Sequence, residues 1–168
     1  AGNISAIEND PGKEFQSLIQ ASYETWSDGP FGNKPGSADR SISVYEKGAV
    51  AGMVLDFAIR HASGNKKSLD DVMRYLYFHY YKALNRGFTD AEFQQACECI
   101  AGASLSSEFE YVSTTREIDY GKYLSLAGLK MTTKTDLSSG EKKFSIEINE
   151  SADPGQKAIF RSWTGKDH

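Results

Sequence analysis

The stretch Ser41-Ile-Ser-Val-Tyr-Glu-Lys-Gly-Ala-Val50 predicts the start of a long helix and points to a helical fold. Ser43 and Glu46 lie three residues apart just before an apolar run, which is the spacing of a capping box with Ser43 as the N-cap. Tyr45 then occupies the second helical position, where backbone N–H groups are unpaired and the helix dipole is positive. A phenol there is suited to donate a hydrogen bond to developing negative charge. On spacing alone, simple packing at a helix end is the more common role of such a tyrosine.

From residue 41 to residue 128 the chain carries one helix signal after another. The start signals are Ser43, Ser68, Thr89 and Asp119, and the stop signals are Gly64, Gly87, Gly102 and Gly128. A shorter helix is predicted over residues 104 to 112. Because the connections are only a few residues long, consecutive helices should be antiparallel neighbours. We therefore predict a mainly α fold, a multi-helix antiparallel bundle.

The first two of these helices have distinct apolar patterns. Val54 and Phe57 belong to the apolar stripe of the first helix and should be buried. In the second helix the residues predicted to face the core are Val72, Leu76, Tyr80 and Leu84. The aromatic residues at positions 75 to 81 point to all sides of that helix, which predicts burial over much of its circumference; an aromatic binding platform is the alternative.

The chain divides into three regions, residues 1–40, 41–128 and 129–168. The first is predicted to be a short helix followed by a loop, because residues 27–40 are crowded with turn-forming residues. The second is the helical bundle.

In the third region the periodicity changes from helical to alternating. Residues 130–135 and 143–148 alternate with a period of two around a turn, which predicts a short C-terminal β-hairpin. Asp153-Pro154 is a helix-start signal, so residues 157–163 are predicted to form a short helix, with a strand as the alternative.

Composition limits the classes of partner. A length of 168 residues fits one domain, or one domain with an appendage. The net charge of −4 argues against nucleic acid as a partner, since nucleic-acid-binding proteins usually carry a basic surface. No apolar run approaches the roughly 20 residues of a membrane span, so no membrane partner is predicted. The composition does not assign a compartment.

Other chemically capable residues give weaker signals. Cys97 and Cys99 lie two apart in a predicted helix, so their side chains diverge and a shared disulfide or metal is not expected. The adjacent Asp70 and Asp71 are best explained as helix N-terminal carboxylates. Lys47 is either a solvated charge or a group that orients a neighbour.

Five segments, in order along the chain, resemble the glycyl aminopeptidase family of thermolysin-like zinc peptidases. Tyr45-Glu-Lys-Gly-Ala is similar to the Y-x-K-G-A segment that follows the zinc site in such enzymes. The other segments are Ser17 to Trp26, which resembles S-L-x-x-A-S-F-x-x-W, Ser68 to Met73, which resembles S-L-D-D-V-M, and Asp119 to Leu129, which resembles D-Y-x-x-Y-L-x-x-A-G-L. Gly87-Phe-Thr89 is also similar to the family's G-[FY]-T.

The resemblance implies a fold, an activity and a site. The bundle should be like the C-terminal lobe of thermolysin-like peptidases, and Tyr45 should be the phenol that stabilises the tetrahedral oxyanion during peptide hydrolysis. The implied partners are a peptide substrate and the N-terminal, zinc-binding half of a larger parent protein, in which zinc is the cofactor. The chain departs from the family at Val44, where a second tyrosine is common.

The zinc-binding helix of that family is absent. Such enzymes need H-E-x-x-H on one helix, whereas this chain has only His61, His79 and His168, none in that motif. We therefore expect no metal ligands in this chain and read it as the excised C-terminal part of a metallopeptidase, inactive on its own. Excision should expose apolar area around residues 14–26, through which the chain could self-associate. The competing hypothesis is a non-catalytic helical protein-interaction module, in which Tyr45 only packs.

Overall fold

Eight α-helices and one β-hairpin make up most of the regular structure in the part of the chain that is described. The structure, a computed structural model, describes residues 1–25 and 40–165. The elements are α1 (Gly2–Asn9), α2 (Leu18–Glu24), α3 (Val44–Ala62), α4 (Leu69–Leu76), α5 (Asp90–Ala101), α6 (Ser106–Ser113), α7 (Tyr120–Leu126), β1 (Leu129–Thr135), β2 (Lys142–Ile148) and α8 (Pro154–Trp163). A short 3₁₀-helix, Pro11–Glu14, follows α1, and a π-helical segment, Tyr77–Ala83, continues α4. The predicted mainly α fold with a C-terminal hairpin is confirmed.

Side-chain caps start the helices where the sequence predicts them. The Ser43 hydroxyl accepts a hydrogen bond from the Glu46 amide at 3.3 Å. Ser43 is therefore the N-cap, and the first residue of α3 is Val44. Reciprocal capping boxes form between Thr89 and Glu92 and between Asp153 and Gln156. The last of these starts α8, so the helix predicted after residue 153 is confirmed and its strand alternative is wrong.

Helix α3 is the centre of the bundle and packs against each of the seven other α-helices. Val54 and Phe57 are 1% and 0% exposed, as their place in the apolar stripe predicts. The other large side chains buried to this degree are Ile59, Val72, Cys97, Tyr123 and Leu124. Burying a side chain such as that of Phe57 stabilises a fold by about 1.5–3 kcal/mol, so α3 is firmly held along its length.

The hairpin is attached to the bundle through β1, which contacts α7, and through β2, which contacts α1. β1 and β2 pair antiparallel in the register Leu129 with Ile148 and Thr135 with Lys142. The Asn9 side chain exchanges two hydrogen bonds with the backbone of Lys142, at 2.7 and 2.8 Å, and so joins the end of α1 to the start of β2.

The second predicted helix differs from the expectation in its last turns. From Tyr77 the backbone widens into a π-helix, in which the Leu84 amide donates to the His79 carbonyl oxygen five residues earlier. Leu84 lies just after the last residue of this segment and is 48% exposed, so the prediction that it faces the core is wrong. The segment ends before Asn85, which has a φ of 50°, and not at Gly87.

No helix in residues 1–25 and 40–165 is long and apolar enough to cross a membrane. Residues 27–39 of the predicted loop lie outside the described residues.

Candidate functional site

Tyr45 occupies the second position of α3, as predicted, and its side chain is open to solvent. It is 78% exposed, whereas residues further along the same helix are buried. Within the described part of the chain, its hydroxyl has no hydrogen-bond partner and its ring packs against no other aromatic ring. The phenol is therefore free to meet a ligand, and the packing role that spacing alone favours is not the one observed.

The backbone just before α3 is held in place by residues that the sequence analysis did not single out. Gln16 is buried, and its side-chain carbonyl oxygen accepts a hydrogen bond from the Ile42 amide at 2.9 Å. Gly12 lies so close to Ser41 that a Cβ at Gly12 would sit 2.6 Å from the Ser41 carbonyl carbon. These contacts define where α3 starts and therefore where the Tyr45 ring is presented.

Exposed aromatic side chains also occur in the segment that precedes the loop. Phe15 is 57% exposed and Tyr23 is 77% exposed. The Arg40 guanidinium lies over the Phe15 ring, 5.3 Å from its centroid. The apolar exposure expected around residues 14–26 is thus present at Phe15 and Tyr23.

Lys47 points to the opposite side of α3 from Tyr45. Two residues correspond to about 200° around a helix, so Lys47 faces the bundle interior, where it is only 3% exposed. Reading Lys47 as a solvated charge is therefore wrong. Burial lowers the pKa of its amine, and the nearby negative charge of Glu8 opposes that shift only in part. Within the described residues its ammonium makes no hydrogen bond or ion pair.

Glu8 is the carboxylate around which the polar groups below Lys47 are arranged. It accepts hydrogen bonds from the Tyr120 hydroxyl at 2.8 Å and from the Lys13 ammonium at 2.7 Å. Lys13 also lies 3.5 Å from Glu117. Burial disfavours the charge of Lys13, but the bond to Glu8 and the two carboxylate charges outweigh it and raise the Lys13 pKa. Burial first, and Glu8 second, raise the pKa of the Tyr120 phenol.

These groups surround a cavity of about 20 Å³, large enough for a single water molecule. The cavity is too small for a substrate, so we assign the Glu8 cluster to the support of α3. It joins α1, the 3₁₀-helix, α3 and α7 beneath the turn that carries Tyr45.

A second feature lies on α4 and the π-helical segment. We define the aromatic surface as Met73, Tyr77, Phe78, Tyr81 and Phe88, which are 46% to 63% exposed. It borders a groove of about 520 Å³ whose floor includes Leu76 and Tyr80. The prediction that this helix is buried over much of its circumference is therefore wrong, because only Val72, Leu76 and Tyr80 are fully buried, while Leu69 and Tyr75 pack against the core in part.

The remaining titratable candidates do not form a metal or redox centre. No group of three or more His, Cys, Asp or Glu residues in the described part of the chain could hold a metal ion. His61 is exposed at the end of α3, and His79 stacks on Tyr75 with ring centroids 5.1 Å apart. Cys97 is buried, which raises its pKa to about 12, whereas Cys99 is exposed, so the expected divergence of the two thiols is confirmed.

Asp70 and Asp71 lie in the first turn of α4, as predicted. An Asp71 oxygen accepts a hydrogen bond from the Ser68 amide at 2.9 Å, which is a capping role.

Comparison of the chain with models of protein families, with curated proteins and with solved structures finds no match. The function is therefore inferred from the chain's own residues and from its segments that resemble the glycyl aminopeptidase family.

Proposed function

We propose that this chain forms the helical wall of the substrate cleft in a zinc-dependent metallopeptidase of the glycyl aminopeptidase type, and that Tyr45 stabilises the oxyanion. The observation that supports this proposal is the 78% exposed phenol on the first turn of a helix whose middle turns are largely buried. An exposed tyrosine at that position adds little to packing, so its chemistry is the simplest reason for its placement.

The role of Tyr45 follows from the charge that develops during peptide hydrolysis. When a nucleophile attacks the scissile carbonyl, its oxygen becomes negative, and the Tyr45 O–H can donate a hydrogen bond to it. The positive end of the α3 dipole favours negative charge at the same place. One such donor is worth roughly 3–4 kcal/mol in the transition state, or about 10²–10³ in rate.

Donors of this kind act only if their position is fixed before the reaction. The backbone of the first turn of α3, though not the exposed ring itself, is fixed on two sides. Gln16 and Gly12 hold the backbone that enters the helix, and Lys47 faces the Glu8 cluster on the opposite side from Tyr45. The Tyr45 side chain is therefore presented from a rigid base.

The residues described here do not fit the role of zinc ligands, since they contain no cluster that could hold a metal ion. Under the proposal, zinc is bound by the N-terminal half of the parent protein. This chain supplies the wall of the cleft and the phenol, and no step through the metal is assigned to it.

The proposal is tested on the complete reading frame that encodes this chain. We expect that frame to encode H-E-x-x-H upstream of residue 1, and its product to release p-nitroaniline from glycine p-nitroanilide. The activity should disappear with 1,10-phenanthroline and return with added zinc. A complete frame without the motif, or a folded product that hydrolyses no amino-acid p-nitroanilide, contradicts the proposal.

A non-catalytic interaction module is the second candidate function, and the aromatic surface favours it. Exposed apolar side chains beside a groove are typical of surfaces that bind a partner. This surface is separate from the turn that carries Tyr45, so one protein can contain both.

A further inference from the structure

We propose that the aromatic surface is the interface of a symmetric homodimer, in which the π-helical segments of two copies pack against each other. This inference concerns the face formed by α4 and the π-helical segment, and it does not depend on the peptidase proposal.

The first argument is the apolar area. The five side chains of the aromatic surface are about half exposed, so at about 100 Å² each they present roughly 500 Å² to solvent. That is at the upper end of what a monomer usually exposes in one patch. Two copies meeting through it would bury roughly 1,000 Å² from these side chains alone, the threshold for a specific interface.

The second argument is shape. Tyr77 and Tyr81 stack with ring centroids 5.3 Å apart, and Phe78 packs edge-on against Tyr77 at 5.2 Å, so the three rings form a ridge. The groove of about 520 Å³ runs beside that ridge, between Met73 and Phe88. In a two-fold interface the same patch is used by both copies. A ridge next to a groove allows each copy to place its ridge in the groove of the other.

The third argument is charge, which selects a second copy over an acidic partner. The Arg86 guanidinium is already bound by both oxygens of Glu92, at 2.7 and 3.0 Å. The Lys82 ammonium lies over the rings of Tyr77 and Tyr81, at 5.4 and 5.6 Å from their centroids. These cations are thus accommodated by their own chain, and Lys82 can stay at the rim in water when the apolar surfaces meet.

The π-helical backbone also favours this surface as an interface. A π-helix has poorer hydrogen-bond geometry than an α-helix and is found frequently at functional sites. Phe78 and Tyr81 of this segment are 63% and 60% exposed, and both of their rings contact the ring of Tyr77.

The test is sedimentation velocity on the 168-residue chain at about 1 to 100 µM. A reducing agent is included so that the exposed Cys99 cannot form a disulfide between copies. We expect the apparent mass to rise with concentration toward twice the 18.5 kDa of one chain. Phe78→Glu should weaken dimerisation at least about tenfold, because it buries a charge in the interface.

The matched control is Tyr23→Glu, which introduces the same charge at another exposed aromatic residue, on α2. It should leave the dimer unchanged. Tyr81→Glu is a second disrupting variant, and thermal unfolding of each variant checks that the fold is intact. A chain that stays monomeric over the whole range contradicts the proposal and assigns the surface to another kind of partner. A dimer that is lost in Tyr23→Glu but kept in Phe78→Glu and Tyr81→Glu also contradicts it.

Discussion

Replacing Lys47 with methionine should stabilise the fold at neutral pH, although it removes a charge that faces a carboxylate. The Lys47 side chain is only 3% exposed and its amine makes no hydrogen bond in the described part of the chain. Burial outweighs the attraction of Glu8, since the net effect is a lowered pKa. Methionine fills nearly the same volume without a charge. Replacing buried ionic groups by apolar ones of similar volume is often neutral or favourable, so we expect a gain of up to about 2 kcal/mol.

The pH dependence of that gain identifies its cause. The pKa of Lys47 is lowered from 10.5, so the folded state releases this proton at lower pH than the unfolded state does. The cost of the buried charge is therefore complete below the folded-state pKa, and it fades as the pH rises from there toward 10.5. The difference in stability between Lys47→Met and the wild type should shrink across that alkaline window. Groups that titrate in both proteins largely cancel in this difference.

The assay is urea unfolding followed by circular dichroism, with the free energy of unfolding taken at several pH values. The matched variant is Lys13→Met. Lys13 donates a 2.7 Å hydrogen bond to Glu8, so its loss should lower stability by about 1.5–3 kcal/mol. If Lys47→Met instead lowers stability at pH 7 by more than about 1 kcal/mol, then Glu8 stabilises Lys47 by more than its burial costs, and the reasoning is refuted.

Two further predictions concern the backbone before α3 and the acid side of the stability curve. Gly12→Ala should lower the free energy of unfolding by about 3 kcal/mol, because the added Cβ would overlap the Ser41 backbone. Gly52→Ala, with open space around it, should raise the free energy of unfolding by about 0.5–1 kcal/mol. Equal urea midpoints for the two variants would contradict this prediction. Glu92 has its pKa lowered from 4.5 to about 2, chiefly by the hydrogen bonds from Arg86, so its stabilising effect is present above pH 4.5 and lost as the pH falls toward 2. The free energy of unfolding of Glu92→Gln should therefore fall less than that of the wild type as the pH drops over that window. Identical acid-unfolding curves for the two proteins would contradict the pairing of Glu92 with Arg86.

Much of the fold was predictable because helix starts are local. A capping residue and its partner lie three positions apart, so Ser43, Thr89 and Asp153 identify helix N-termini without any knowledge of tertiary contacts. The position of Tyr45 in the first turn of α3 was also predicted, whereas its 78% exposure does not follow from spacing, which alone favours packing.

What could not be predicted depends on contacts between distant segments. The burial of Lys47 requires Glu8 and Tyr120, which α1 and α7 bring to the same place. In the π-helical segment after Leu76 the backbone hydrogen bond spans five residues and not four. A periodic sequence pattern does not reveal the residue at which that change begins.

The most direct test of the proposed function is the effect of Tyr45→Phe on turnover by the complete gene product. The change removes one exposed hydroxyl and no packing, so the free energy of unfolding should change by less than about 1 kcal/mol. The account predicts that kcat for glycine p-nitroanilide falls by about 10²–10³ while KM changes far less, because the hydrogen bond forms mainly in the transition state. Tyr81→Phe, which removes another exposed hydroxyl, should keep wild-type turnover. A Tyr45→Phe enzyme with full turnover would contradict the account and leave Tyr45 without a catalytic role.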